Sequence, residues 1–557
     1  LTLSPGETLD WTIPETAGES LVLTYRPRWE FITEFQGTLE AVVSVDGIAM
    51  DTQALAVPGM TFGLRRQLEV RAGQRLQFKA ETAEAEAPLF VNAPRLVFDD
   101  LRIELKSERP RTRATREQPS LLFITVDSLR SDRLSTYGYG RRTSPNIDEL
   151  SRKGTLFESA FSTSSWTWPS TASILTGLAP DDHGLLSAAD APLAPAVETL
   201  AEALQAQGFS TAAISGSPHV SPKLLFDQGF ESFDTATMTR KSEDLIASIE
   251  TRLGQLARTR FFLYVHLTDP EAPRIPLAEI NPGMPSEDEP SKAQEYEEEA
   301  RTETEPDLLV VATQRLYAGE GRDQSGEPRT EHVLSPEEQE QLQMQYDASV
   351  AIADQYVGQI LMHLVALNLQ DTTVVVLTSD HGEELLERGY LDHGHGIYRE
   401  QVQVPLILTG PGIAQGLRIE TPVSNRHIAP TLARLFGTTL GTLADGLDLL
   451  EPGFESPGVV YQSSRGRWLD RQGLELVGLR HNDFVLQRLP MVPLLGTALN
   501  EETAFRLFAQ QADPEEGTDL SPAPNYLDRA RDMLEELEQR QNRWRTNRRA
   551  RELRSQE

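Results

Sequence analysis

Two short apolar runs constrain this chain more than any other feature. Residues 121–126 read LLFITV and residues 372–377 read TTVVVL; Asp127 follows the first and the pair Asp380-His381 follows the second. A run without a polar face must be covered on both sides, which is the condition of a strand inside a parallel sheet flanked by helices. Between the two runs a helical pattern spans 197–207, and shorter strand patterns span 210–214 and 261–266. Strands alternating with helices give an α/β sandwich. In an open sheet of that kind the carboxyl ends of the strands face the crevice where ligands bind. Asp127, Asp380 and His381 therefore converge as candidate ligands for a divalent metal.

With 557 residues the chain exceeds what one ordinary core holds. Residues 1–105 show short alternating stretches punctuated by Gly and Pro, the pattern of an all-β sandwich that acts as an accessory domain. Residues 106–118 are basic and poor in apolar side chains, a linker pattern. The α/β domain follows at 119–525. It carries an acidic, Pro-containing insertion at about 277–340 and returns to short strands at about 458–525, predicting a small antiparallel sheet. A helix is expected over 335–367, with Ser335 as its cap and Pro336 in its first turn. Residues 526–557 read as an amphipathic helix whose last eighteen residues hold seven Arg against two Glu. Such a stretch is either a solvated end or a basic surface for an acidic protein or a membrane surface.

Charge and cysteine usage exclude several classes. The formal charge of −32, from 84 acidic and 52 basic side chains, opposes nucleic-acid binding. The absence of cysteine removes disulfides, thiolate metal sites and a cysteine nucleophile. No apolar run is long enough to cross a bilayer.

Residues 165–177 read SWTWPSTASILTG. Pro169 followed by helix formers places Thr167 at a helix N-terminus, where backbone donors and the helix dipole favour an anion. Thr167 or Ser170 then either caps the helix or, with a metal nearby, Thr167 offers its hydroxyl as a nucleophile.

A series of ordered motifs joins these pieces. Residues 126–139 (VDSLRSDRLSTYGY), 143–148 (TSPNID), 165–177 and 180–184 (PDDHG) are followed by 261–270 (FFLYVHLTDP), 378–383 (TSDHGE), 393–400 (HGHGIYRE), 404–407 (VPLI) and 512–516 (ADPEE). The series resembles the sulfatases of the alkaline-phosphatase superfamily over roughly 121–520, with the β domain outside it. The resemblance implies an alkaline-phosphatase-like α/β sandwich with a mixed, largely parallel sheet, and one divalent ion (Ca, Mn or Zn) at its carboxyl edge. It implies Asp127, Asp380 and His381 as metal ligands and Thr167 as nucleophile. His393 or His395 would bind substrate oxygens or protonate the leaving group.

The departures from the family pattern matter equally. Sulfatases mature a Cys or Ser to formylglycine within Cys-x-Pro-Ser-Arg, whereas this chain reads Thr167-Trp168-Pro169-Ser170-Thr171, so no formylglycine is expected. Ser128 stands where many members have a second metal-binding Asp, Glu271 where relatives place a His, and Ser215-Gly-Ser-Pro where they have a Gly-Lys-Trp-His element. A sulfated threonine lacks the elimination route open to a formylglycine hydrate, while a phosphorylated one is relieved by attack at phosphorus. Phosphoryl chemistry is therefore favoured over sulfate turnover, on a small-molecule, glycan or lipid-head-group ester. The alternative is a catalytically degraded member kept as a binding or structural subunit. An exported, periplasmic or extracellular setting is expected, with any anchor lying upstream of Leu1.

Overall fold

In a computed structural model the described residues are 2–3, 8–13, 21–30, 38–56, 61–62, 66–71, 73–82, 95–105, 111–186, 192–235, 242–270, 334–388, 391–441, 446–464, 475–488 and 505–554. The acidic insertion up to residue 333 and Glu271 lie outside them. Two compact units divide the chain: residues 1–110 with 221–227, and residues 111–220 with 228–557. Among the described residues no helix is long and apolar enough to cross a membrane.

The first unit consists of two antiparallel sheets. One joins Thr2–Leu3, Arg95–Leu105, Leu21–Glu30, Thr61–Phe62 and Arg66–Val70; the other joins Thr8–Thr12, Arg75–Thr82, Thr38–Val45 and Ile48–Ala56. Alternate residues turn inward, so Leu23 and Tyr25 of one sheet and Val43, Leu76 and Phe78 of the other are buried. Tyr25 and Phe78 meet edge to face with centroids 6.4 Å apart. This is the sandwich that the alternating pattern predicts.

The second unit is built on an eight-stranded sheet. In chain order its strands are β1 (Ser120–Val126), β2 (Gly154–Phe157), β3 (Ser210–Ser215), β4 (Ser232–Thr235), β5 (Phe261–Leu267), β6 (Thr373–Thr378), β7 (Leu406–Thr409) and β8 (Leu417–Ile419). They lie in the order β4-β3-β5-β1-β6-β7-β2-β8. The five strands from β4 to β6 are parallel, and β7 runs antiparallel to both its neighbours. Every residue of β1, β5 and β6 is buried, as strands without a polar face require. Among the helices covering the sheet are α1 (Pro145–Arg152), α2 (Thr167–Thr176), α3 (Leu200–Ala206), α4 (Ser242–Leu256), α5 (Pro336–Ala366) and α6 (Ile428–Leu435). One large core runs from β1 and β5 into α4 and α5 through Ile124, Leu263, Ile249, Leu253, Val350 and Val357. Helix α5 opens with the expected cap: the Glu338 amide donates to Ser335 Oγ at 3.2 Å and the Ser335 amide to Glu338 Oε2 at 2.7 Å.

Residues 111–118 belong to this unit and are fastened to it, the Arg260 amide donating to the Thr112 carbonyl at 2.6 Å and Arg111 pairing with Glu231. The returning strands form the predicted small antiparallel sheet, β9 (Val459–Ser464), β10 (Glu475–His481), β11 (Phe484–Arg488) and β12 (Phe505–Ala509).

The terminal helix α7 (Leu527–Arg554) corrects the expectation of a solvated end. Its face of Ala530, Met533, Leu537 and Trp544 is buried with Val477, Leu479 and Leu486 of the small sheet. Two of its arginines pair with a distant turn of the same unit. Arg545 Nε donates to Asp181 Oδ1 at 3.1 Å, Gln541 Nε2 to Asp181 Oδ2 at 2.9 Å, and Arg551 pairs with the buried Asp182. The partners stand more than 350 residues away in sequence, which is why local composition gives no sign of them.

Candidate active site

Parallel register puts the ends of β5, β1 and β6 at one level, since Thr125 is opposite both His266 and Thr378. Asp127 and the Asp380-His381 pair thus leave the same sheet edge, and all three are fully buried. Ser128 is held in the left-handed region at φ 59°, a conformation that costs a non-glycine residue about 1 kcal/mol. Three hydrogen bonds fix it. Tyr346 Oη donates to the Ser128 carbonyl at 2.6 Å and accepts from the Arg130 amide at 3.0 Å, and the Leu129 amide donates to Ser379 Oγ at 3.0 Å. At the other strand end Gly382 is required by a close approach: a Cβ there would stand 2.1 Å from the Glu400 carbonyl oxygen.

Helix α2 begins at Thr167 as the sequence predicts, with Trp166 as its cap residue and Pro169 in the first turn. Ser170 Oγ donates to the Asp380 carbonyl and accepts from Asn425 Nδ2 at 2.9 Å, tying the first turn of α2 to the end of β6. Behind the helix, His183 Nε2 lies 3.2 Å from both the Pro169 carbonyl and Ser173 Oγ, while its Nδ1 accepts from the Leu185 amide at 3.1 Å. These contacts aim the Thr167 hydroxyl at His381, with Oγ1 to Nε2 at 3.2 Å.

His381 Nε2 is the meeting point of the site. Besides Thr167 it faces Asp127 Oδ1 at 3.3 Å and Asp380 Oδ2 at 3.5 Å. Its Nδ1 stands 2.9 Å from the Gly382 carbonyl, an acceptor only, so Nδ1 carries the proton of a neutral ring. Nε2 then presents a lone pair to two carboxylate oxygens. A proton on the ring or on the Asp380 carboxyl, or a cation between the groups, reconciles that arrangement. Asp380 Oδ2 is buried and has no hydrogen-bond partner, and burial pushes the Asp380 carboxyl up against the opposing pull of His266 and His393. A divalent ion would satisfy all of these groups at once.

His393 stacks on His381 with ring centroids 4.0 Å apart. Its Nδ1 is 3.0 Å from Glu383 Oε2 and 2.8 Å from Asp392 Oδ1. His395 turns elsewhere: its Nε2 meets Glu384 Oε2 at 2.9 Å and Gln401 Nε2 at 3.1 Å. The structure therefore gathers Thr167, Asp127, Asp380, His381 and His393, and gives His395 a separate set of partners.

Four residues at or beside the site were not among the sequence candidates: His266, Glu383, Asp392 and His219. His266, the penultimate residue of β5, has Nε2 3.1 Å from Asp127 Oδ2 and forms a group with Asp127 and Asp380 able to hold a metal ion. Glu383, Asp392 and His393 form a second such group. His219, just beyond the Ser215-Gly-Ser-Pro departure, accepts from Trp168 Nε1 at 3.2 Å beside the nucleophile position. Its proximity to a tryptophan 51 positions away has no local signal; only the tertiary fold brings its loop to the start of α2.

The sulfatase family model matches residues 119–438. The chain is 24% identical over 366 residues to a sulfatase of Formosa agariphila, covering 58% of this chain and 70% of that one. Its fold is similar to that of a protein solved in complex with its substrate D-glucosamine-2-N,6-O-disulfate, with a TM-score of 0.60 and 21% identity over 77% of this chain and 99% of that one. It is also similar to the phosphonate monoester hydrolase of Agrobacterium radiobacter, with a TM-score of 0.57 and 19% identity over 76% of this chain and 96% of that one.

Proposed function

The chain belongs to the sulfatase family, and from that premise we propose that it is a metal-dependent hydrolase or transferase of phosphate or sulfate esters, with Thr167 as nucleophile and phosphoryl transfer as its chemistry. The observation that carries this is the convergence of Thr167 Oγ1, Asp127 Oδ1 and Asp380 Oδ2 on His381 Nε2. Asp127, Asp380 and His381 would hold the metal. A divalent ion bound there would lower the pKa of the Thr167 hydroxyl and offset the charge of the transferring group.

The side chains supply the remaining roles. The first turn of α2 presents its amides and its positive dipole end to the substrate oxyanions. Thr167 loses its proton to solvent and attacks phosphorus, forming a phosphothreonyl ester as the bond to the leaving oxygen breaks. Protonated His393 gives its Nε2 proton to that oxygen, while Glu383 and Asp392 hold Nδ1 and favour the charged ring. A water or an acceptor hydroxyl then attacks phosphorus, giving its proton to His393, and the bond to Thr167 Oγ1 breaks. The substrate is a small-molecule, glycan or lipid-head-group ester. The test is turnover of phosphodiester, phosphonate and sulfate esters with added Mn, Zn or Ca by the parent and by Thr167→Ala. Equal rates in the two proteins would refute the assignment.

A further inference from the structure

His266 has no part in the reaction above, yet it is fully buried among charged groups. A histidine on a strand without a polar face is costly unless both ring nitrogens are satisfied. Tyr264 Oη lies 3.1 Å from its Nδ1, and Asp127 Oδ2 lies 3.1 Å from its Nε2. Ligand atoms of Asp127, His266 and Asp380 all fall within 4.8 Å of one another. Ser128, adjacent in sequence to Asp127, turns its hydroxyl to His381 Nδ1 at 3.5 Å, on the far side of that ring from the carboxylates. The nitrogen on the carboxylate side of Asp127 comes instead from the neighbouring strand.

We propose that His266 is itself a ligand of the metal and that, with His381, it makes the site select zinc over calcium. The inference rests on the metal-dependent function proposed above. With Nδ1–H donating to Tyr264 Oη, Nε2 offers its lone pair to the ion, an arrangement in which a partner on the second nitrogen sets the tautomer and orients the ring. Donors about 2.0–2.1 Å from a tetrahedral zinc ion stand roughly 3.3 Å apart, close to the 3.1 Å between His266 Nε2 and Asp127 Oδ2. Calcium takes six to eight oxygen ligands in a flexible shell, whereas imidazole nitrogen suits zinc. Two imidazoles and two carboxylates form a nitrogen-containing set of the second kind.

The test uses the full chain, stripped with a chelator and titrated with zinc and with calcium, followed by X-ray absorption at the zinc edge. The parent is expected to bind zinc at least about 10³-fold more tightly than calcium, with two imidazoles on the ion. His266→Gln is expected to show one imidazole and about 100-fold weaker zinc binding; loss of an outer-shell partner costs about 10–100-fold, so the imidazole count is the deciding readout. One imidazole in the parent, with zinc affinity unchanged in the variant, would reduce His266 to a hydrogen-bond partner of Asp127 and overturn the inference while leaving the metal-dependent function intact. Binding of neither ion by the parent would overturn both. Should His266→Gln fail to fold, the imidazole count of the parent decides alone.

Discussion

Thr167 Oγ1 lies 3.2 Å from His381 Nε2, although the two residues are separated by 214 positions in sequence. Helix α2 supplies the hydroxyl and the loop after β6 supplies the imidazole, and the bonds of Ser170 to Asp380 and of Asn425 to Ser170 lock the two elements together. A hydroxyl, an imidazole and two buried carboxylates at one sheet edge are what a metal-assisted displacement needs.

The proton donation proposed for His393 makes the two histidines of residues 393–395 separable by mutation. His393→Gln is expected to lower kcat by about 10²–10⁴-fold with a poor leaving group and far less with a good one, because an acidic leaving oxygen departs without a proton. His395→Gln is expected to change kcat less than about tenfold, since its ring is engaged by Glu384 and Gln401. A series of substrates with graded leaving-group pKa checks both.

Metal removal is expected to lower stability as well as activity. An ion bound only by the folded protein and present at 100 times its Kd adds about 2.7 kcal/mol, and buried Asp127 and Asp380 are left facing each other when it is withdrawn. Thermal unfolding with and without a chelator, on the parent and on Asp380→Asn, measures this. The shift should be large in the parent and small in the variant.

The pH dependence of stability has a contribution from His183. Burial drives its pKa down to about 3 from an ordinary 6.5. The unfolded chain binds the additional proton between those values, so stability rises with pH across that window and is lost as pH falls from about 6.5 toward 3. Urea unfolding of the parent and of His183→Gln should therefore converge on acidification: the parent's advantage at pH 7 shrinks below pH 6.5 and stops changing below about 3.

Asp182 tests the clasp between α7 and the Pro180–His183 turn. Its side chain is fully buried and that of Arg551 is 12% exposed. Breaking a buried pair by removing one partner costs roughly 3–5 kcal/mol, and the partial exposure of Arg551 places Asp182→Ala at the lower end, about 3 kcal/mol by denaturant unfolding. Because His183 in the same turn contacts Pro169 and Ser173 of α2, kcat should fall with it.

Much of this site is legible in the sequence because its signals are local. The two apolar runs declare buried strands, Asp127 and Asp380 mark their carboxyl ends, and Pro169 places Thr167 at the start of a helix. His266 is not legible in that way. One imidazole at the end of FFLYVH has no periodicity to announce it, and only the pairing of Thr125 with His266 across β1 and β5 brings it to Asp127. The same holds for α7, where Arg545 and Arg551 read as solvated until the fold brings Asp181 and Asp182 against them. Charge pairs and metal sets are tertiary properties, whereas strands and caps are written within a few residues.

The central claim is that Thr167 carries the transferred group. The most direct measurement is rapid quenching of the metal-loaded protein with a phosphodiester or phosphonate substrate, followed by peptide mass mapping. A burst of leaving group and one phosphoryl or phosphonyl increment on the peptide containing Thr167, both absent in Thr167→Ala, is the predicted result. Undiminished turnover by Thr167→Ala, or an increment on another residue, would contradict it.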